Sequence, residues 1–198
     1  MREGTTGYGP DAAQLADRYE KLRYEDVHRD VLHLVPEDLS RVLDIGAGSG
    51  RDAAALCARG HDVVAVEPTA ELRELAKLRH ADQPITWIDD ALPHLAVLRD
   101  QSFDLVMMSA VWMHLPPADR LPAMRRVAAL TAAEGVVILT LRHGPLPARR
   151  CMFHISDEET ITLAHDNGLR LVGYAQRGDL LDRAHIRWSA MGFRRATG

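Results

Sequence analysis

Three features of the sequence predict an α/β fold with a doubly wound, mostly parallel sheet. From residue 41 onward, short apolar runs alternate with stretches of helical periodicity. The first run ends in a cluster of glycines, where such sheets turn from strand to helix. The run GVVILTL at 135–141 is apolar throughout, as a strand buried on both faces must be. A chain of 198 residues suffices for one domain of this kind.

Residues 10–34 read as helix: Pro10 suits the first helical position, and Leu15, Tyr19 and Leu22 recur at helical spacing. The Tyr24–Asp26 stretch is expected to divide it into two. RVLDI (41–45) is a short buried strand, and 50–59 a helix stopped by Gly60. HDVVAVE (61–67) is the second strand, followed by a helix from Thr69 to about His80. PITWI (84–88) and FDLVMMS (103–109) are the third and fourth strands. A helix follows Pro116-Pro117, with Leu121, Met124, Val127 and Leu130 on one face. GVVILTL is the fifth strand. Ser156 and Glu159 form a capping box opening a helix that ends at Gly168. GLRLVGYAQ (168–176) and HIRWSAMGF (185–193) alternate like an antiparallel pair. There is no internal repeat or low-complexity linker. The expected layout is one domain over 1–198: a helical lid in 1–40, a ligand-binding core in 41–141, and a C-terminal part in 142–198 carrying loops and antiparallel strands.

The composition, 46% apolar and 26% charged, is that of a globular domain. With 24 basic and 28 acidic residues the net charge is −4, which gives no electrostatic footprint for general nucleic-acid binding. The basic pairs Arg125-Arg126, Arg149-Arg150 and Arg194-Arg195 are scattered. Cys57 and Cys151 have no metal-type spacing, no metal is expected, and a reducing compartment is the simpler reading. The N-terminal segment lacks the apolar core of a signal peptide, and no apolar run approaches a membrane span. A cytoplasmic protein is expected, as a monomer or homodimer.

In VLDIGAGSGRD, Gly46, Gly48 and Gly50 occupy the turn after the first strand. Glycines there permit positive φ and let a ligand approach the backbone. A dinucleotide fingerprint would need its third glycine at position 51, which is arginine. The turn also lacks a P-loop lysine. Glu67 ends the second strand about twenty residues on, where a carboxylate accepts hydrogen bonds from ribose hydroxyls. The pattern specifies a nucleoside and not yet a dinucleotide.

VLDIGAGSGRDAAALCARGHDVVAVEPT resembles the first and second motifs of the class I S-adenosylmethionine-dependent methyltransferases. The likeness continues through ITWIDDALPHL and FDLVMMSAVWMHLP, covering roughly residues 41–141. The resemblance implies S-adenosyl-L-methionine as cofactor and S-adenosyl-L-homocysteine as product. It implies that the turn containing Asp44, Gly46, Ala47, Gly48 and Arg51 passes beneath the methionine part, and that Glu67, with Pro68, holds the ribose. Asp89 or Asp90 would contact the adenine amino group; Asp90-Ala91 resembles the family's Asp-Ala pair. Ser109 to His114 would present a carbonyl to the methionine amino group and begin the substrate pocket. A Rossmann-like sheet of seven strands is also implied, with the last antiparallel beside the fifth.

Transfer from a sulfonium chiefly requires alignment of nucleophile and methyl, with a proton acceptor as an optional addition. His114, just beyond the fourth strand, is the first candidate base, and His143, after the fifth, the second; His154 and His185 have weaker claims. Tyr8, Tyr19 and Tyr24 are candidates to line the lid, or else ordinary core aromatics. Trp112 is a candidate wall of the acceptor pocket, whereas Trp87 and Trp188 are expected to pack within the sheet layers. Arg142, with Arg149 and Arg150, either recognises an acidic group or is solvated. The loop SAVWMHLPP lacks the Asn/Asp/Ser-Pro-Pro-aromatic signature of nucleobase amino-methyltransferases, and no Pro-Cys pair is present. These absences weigh against DNA and favour direct in-line methylation of a small molecule at oxygen or nitrogen. RNA or protein acceptors, and a catalytically silent cofactor-binding module, stay open as alternatives.

Overall fold

A computed structural model describes residues 9–147 and 150–197. Seven strands form one sheet: β1 (Arg41–Ile45), β2 (Asp62–Val66), β3 (Thr86–Ile88), β4 (Phe103–Ser109), β5 (Thr131–His143), β6 (Leu169–Gly178) and β7 (Arg187–Arg195). Their order is β3-β2-β1-β4-β5-β7-β6. Pairs among the first five are parallel, and β7 runs antiparallel to both β5 and β6. The predicted doubly wound, mostly parallel sheet with one antiparallel strand near the C-terminus is therefore observed.

The helices are α1 (Ala12–Glu20), α2 (Tyr24–His28), α3 (Arg51–Cys57), α4 (Ala70–Arg79), α5 (Pro117–Leu130) and α6 (Asp157–His165). Alternate side chains of each strand enter two separate cores. Leu43, Ile45, Val137, Leu139 and Leu141 join Met124 and Val127 of α5 and Ala164 of α6. Val42, Val63, Val136 and Ile138 join Tyr24 of α2 and Leu56 of α3 on the other face. This burial on both sides explains why the central strands read as unbroken apolar runs.

Boundaries differ from expectation where long-range contacts decide them. The first helical segment breaks at 21–23, so Tyr24 begins α2, and the region ends in a single 3-10 turn, Leu32–Leu34. β5 begins four residues early because Thr131 pairs with Phe103 across a register shift. Ser156 caps α6 by accepting from the Glu159 amide at 3.0 Å. The Glu159 carboxylate leaves the capping box and takes a hydrogen bond from Arg120 Nη1 at 2.7 Å. None of the helices among the described residues is long and apolar enough to cross a membrane.

Candidate functional site

Beyond β1 the chain turns through Gly46 at φ +70° and Gly48 at φ +58°. A Cβ on Gly46 would lie 2.5 Å from Val111 Cγ2, so only glycine fits. The Gly46 and Ala47 amides donate to the Val66 carbonyl at 2.7 and 3.0 Å, which ties the turn to the end of β2. One residue on, Glu67 Oε2 accepts from the Gly48 amide at 2.9 Å and Oε1 from the Thr69 amide at 2.7 Å. Both oxygens are thereby oriented, and each keeps a second lone pair for a ligand. Burial raises the Glu67 pKa against the pull of those two amides.

Asp44, at 1% exposure, stands beneath the same turn. Its Oδ2 has no hydrogen-bond partner among the described residues. Burial and then the neighbouring Asp52 carboxylate push its pKa well above the usual carboxylate range. Burial would raise Asp52 too, but Arg51 and His28 overrule it and hold that carboxyl far down. Arg51 Nε donates to Asp52 Oδ1 at 2.6 Å, and His28 Nε2 meets Oδ2 at 2.8 Å. Arg51, which interrupts the dinucleotide pattern, is thus a structural cation within the wall.

The two acids after β3 separate. Asp90 lines the cavity and accepts from the Ala91 amide at 2.7 Å and the Val97 amide at 3.0 Å. Asp89 lies off the cavity wall, with a side chain 59% exposed and paired to Arg73 at 3.3 Å. Successive residues at a strand end point to opposite sides, and the expectation for Asp89 is corrected accordingly.

Past β4, Ser109 reaches the wall and the Ala110 amide donates to Thr140 Oγ1 at 2.9 Å. In the following 3-10 turn, Trp112–His114, only part of the segment faces the cavity. His114 lines it. Its Nδ1 meets the Cys151 carbonyl at 2.6 Å; since that oxygen can only accept, Nδ1 carries the proton, and Nε2 of the neutral ring carries the lone pair. Burial lowers the His114 pKa. Trp112 is 0% exposed and sits in the α5-side core, so it does not wall the pocket. The loop after β5 is sewn to this turn by Phe153 N to Met113 O at 2.8 Å, and Arg120 Nη2 donates to His154 O at 2.9 Å.

Strand alternation decides the remaining candidates. Thr140 and Arg142 of β5 line the cavity, while His143 falls on the opposite face. There His143 Nε2 contacts Ser189 Oγ at 2.8 Å and Asp157 Oδ1 at 3.1 Å. It has no access to the cavity and is removed as a candidate base. In register with Arg142 stand Trp188 of β7 and, beside it, Arg177 of β6. All three line the cavity, Trp188 against the expectation that it packs within the layers. Tyr19 of α1 also lines it. Tyr24 does not: it is buried, with its ring 4.9 Å from that of His28 and under the Arg59 guanidinium. Tyr8 and Arg149 lie outside the described residues. Arg120, Thr140 and Arg177 carry no signal in the sequence because their partners are distant in it.

The cavity holds about 1000 Å³ and brings together Asp44, Gly46, Ala47, Gly48, Arg51, Glu67, Pro68, Asp90, Ala91, Ser109 and His114. Among the described residues no group of His, Cys, Asp and Glu is placed to hold a metal ion. Residues 43–139 match the family described as methyltransferase domain. Just under half of the chain is thus similar to a methyltransferase domain. An uncharacterized methyltransferase of Mycobacterium tuberculosis (strain H37Rv) is 36% identical over 109 residues, which cover 55% of this chain and 44% of the relative. The chain thus spans less than half the length of that relative. The domain also shares its fold with magnesium protoporphyrin IX methyltransferase from Synechocystis PCC 6803 with bound S-adenosylmethionine: TM-score 0.72, 18% identity, 98% of this chain and 95% of that one. A second fold neighbour is the 1,6-didemethyltoxoflavin-N1-methyltransferase of Burkholderia thailandensis, with bound 1,6-didemethyltoxoflavin and S-adenosylhomocysteine. Its TM-score is 0.65 at 21% identity, over 95% of this chain and 90% of that one.

Proposed function

We propose that the chain is a class I methyltransferase that uses S-adenosylmethionine to methylate a small acceptor at oxygen or nitrogen by direct in-line displacement. The observation that carries this reading is one cavity fed by three buried acids, Asp44, Glu67 and Asp90, from the ends of β1, β2 and β3, around a left-handed glycine turn. These residues fit the cofactor. The partnerless Asp44 Oδ2 suits a cationic or N–H group, Glu67 has lone pairs to spare for two ribose hydroxyls, and the turn has no room for a Cβ at Gly46. When bound, S-adenosylmethionine supplies an activated methyl group on a positively charged sulfur.

The chain's own residues then hold and orient the reactants, an effect worth on the order of 7–11 kcal/mol when geometry is ideal. Glu67 and Asp90 fix the nucleoside, and Ser109 and Ala110 bound the methionine end. Tyr19 and the rest of α1 cover the cavity, in keeping with a lid role for residues 1–40 ahead of a cofactor core in 41–141 and acceptor loops in 142–198. His114, with its lone pair on Nε2, takes the acceptor's proton at that atom. Small-molecule pockets run to roughly 1,000 Å³, so a volume of about 1000 Å³ suits the cofactor with a small acceptor. The net charge of −4 weighs against nucleic acid.

The deciding experiment is calorimetric titration with S-adenosylmethionine and, separately, NAD, repeated on Glu67→Ala, followed by an acceptor screen with labelled methyl groups. Selective S-adenosylmethionine binding that Glu67→Ala weakens is expected; selective NAD binding would overturn the reading.

A further inference from the structure

We infer that the acceptor is a small organic carboxylate whose charge is received by Arg142 and whose apolar body lies against Trp188. This deepens, and rests on, the reading of the cavity as a methyltransferase site. Acids predominate around the glycine turn, where Asp44, Asp52, Glu67 and Asp90 stand with Arg51, whereas cations predominate at the ends of β5 and β6 and the loops that follow them, where Arg142, Arg150, Arg177 and Arg183 stand with Asp179.

Most of these cations have protein partners. Arg177 donates to the carbonyls of Asp26, at 2.5 Å, and Val27, and approaches Asp30 at 3.9 Å. Arg183 grips Asp179 with Nε at 2.8 Å and Nη2 at 2.6 Å. Arg142 differs: among the described residues it makes no hydrogen bond or ion pair, although it is half-buried on the wall. Burial, then Arg183 and Arg150, disfavour its charge, and Asp179 is the acid that offsets them. Asp179 cannot supply a direct partner. Besides Arg183 Nε and Nη2, it already accepts from Trp188 Nε1 at 2.8 Å, Leu181 N at 3.0 Å and Arg183 N at 3.3 Å, which saturates its lone pairs.

A half-buried guanidinium with five donors and no acceptor is costly unless a ligand completes it. A planar carboxylate matches its fork. The cross-strand register sets Trp188 directly beside Arg142, and its indole N–H is pinned by Asp179. The ring is therefore a fixed apolar surface next to the cation. Arg51, being committed to Asp52 under the glycine turn, leaves Arg142 as a determinant of acceptor specificity at the opposite end.

The test uses benzoate and phenylacetate against their carboxamides, benzamide and phenylacetamide. Each is titrated by calorimetry into the protein, free and saturated with S-adenosylhomocysteine. Carboxylates should bind at least ten-fold more tightly than amides. Arg142→Ala should lose that ten-fold preference while S-adenosylhomocysteine affinity stays within about two-fold. Arg170→Ala, an exposed cation on β6, should change neither, and melting curves should show all variants folded. The inference is overturned if amides bind as well as carboxylates, if no carboxylate binds at millimolar concentration, or if Arg142→Ala weakens S-adenosylhomocysteine instead. Failure of S-adenosylhomocysteine to bind at all would sink the methyltransferase reading. The titrations on free protein would then still decide whether Arg142 receives a carboxylate.

Discussion

Glu67 Oε2 accepts the Gly48 amide hydrogen at 2.9 Å, so the acid of the second strand is also the clamp of the glycine turn after the first. Removing the carboxylate would withdraw ligand acceptors and slacken the turn together. Glu67→Ala should weaken S-adenosylhomocysteine binding by about 10- to 100-fold, as expected for hydrogen bonds to a charged group. Glu67→Gln should not restore it, because a side-chain NH₂ would face either the Gly48 or the Thr69 amide. Calorimetry on both variants measures this; full binding by the glutamine variant would show that the clamp is dispensable.

At Gly46 the strain is steric as well as conformational. Gly46→Ala should cost roughly 1–3 kcal/mol of stability from its left-handed backbone alone, plus the clash with Val111. Adding Val111→Ala should recover the steric part and leave the backbone part. A double-mutant cycle of melting temperatures isolates the coupling, and strictly additive effects would contradict the 2.5 Å approach.

Asp44 gives a pH signature. Its folded pKa lies above its unfolded value, so the native state holds a proton that the unfolded chain has released. That contribution is fully present below the unfolded value, about 3.9, and is lost as pH rises through the folded pKa. Asp44→Asn should therefore raise the melting temperature of the ligand-free chain near neutral pH and weaken cofactor binding. Each kcal/mol corresponds to about 2–4 °C in a chain of this size. A variant with lower stability and undiminished binding would assign Asp44 to the scaffold instead.

His114 should behave as a base with a depressed pKa. Because burial lowers that pKa, the ring stays neutral, and turnover should persist, to pH values below the usual 6.5 of imidazole. His114→Asn should remove that acidic limb and slow turnover by about 10²–10⁴-fold, with S-adenosylhomocysteine affinity nearly unchanged. A variant that retained turnover would remove the base and leave His114 a wall residue.

His143→Ala is the matching control. Its contacts to Ser189 and Asp157 lie across the sheet from the cavity, so turnover should stay within about two-fold while stability falls by roughly 1 kcal/mol. A large loss of turnover without a change in melting temperature would bring the residue back into the mechanism.

The sequence showed features whose physics is local. Gly46, Gly48 and Glu67 are legible because a strand-turn-helix unit fixes their spacing, and β1, β2, β4 and β5 because they are buried on both faces. That same double burial hides the phase of the strand. GVVILTL offers no polar-apolar alternation, so nothing in it says whether Arg142 or His143 meets the ligand, and one residue reverses the answer. For Trp188, and for the choice between Asp89 and Asp90, a one-residue step likewise reverses which side chain meets the cavity. Tyr24 and Trp112 stay open between pocket and core at the level of sequence because an aromatic near a site looks the same there whether it faces the cavity or the core. Arg120, whose acceptors are Leu115, His154 and Glu159, has no local signature at all.

Arg177 holds the carbonyls of Asp26 and Val27 across sequence separations of 151 and 150 residues. Bridging so long a loop carries an entropy cost that only a nearly finished tertiary structure can meet. The seat around the glycine turn is built from residues close in sequence, whereas the join between the first helices and the sixth strand depends on almost the whole chain. Closure of the cavity is accordingly expected to be the late event in folding. By the same token it is the early one in partial opening, so a ligand that bridges both ends would lower hydrogen exchange at Asp26–Val31 before it did so in β1 or β4.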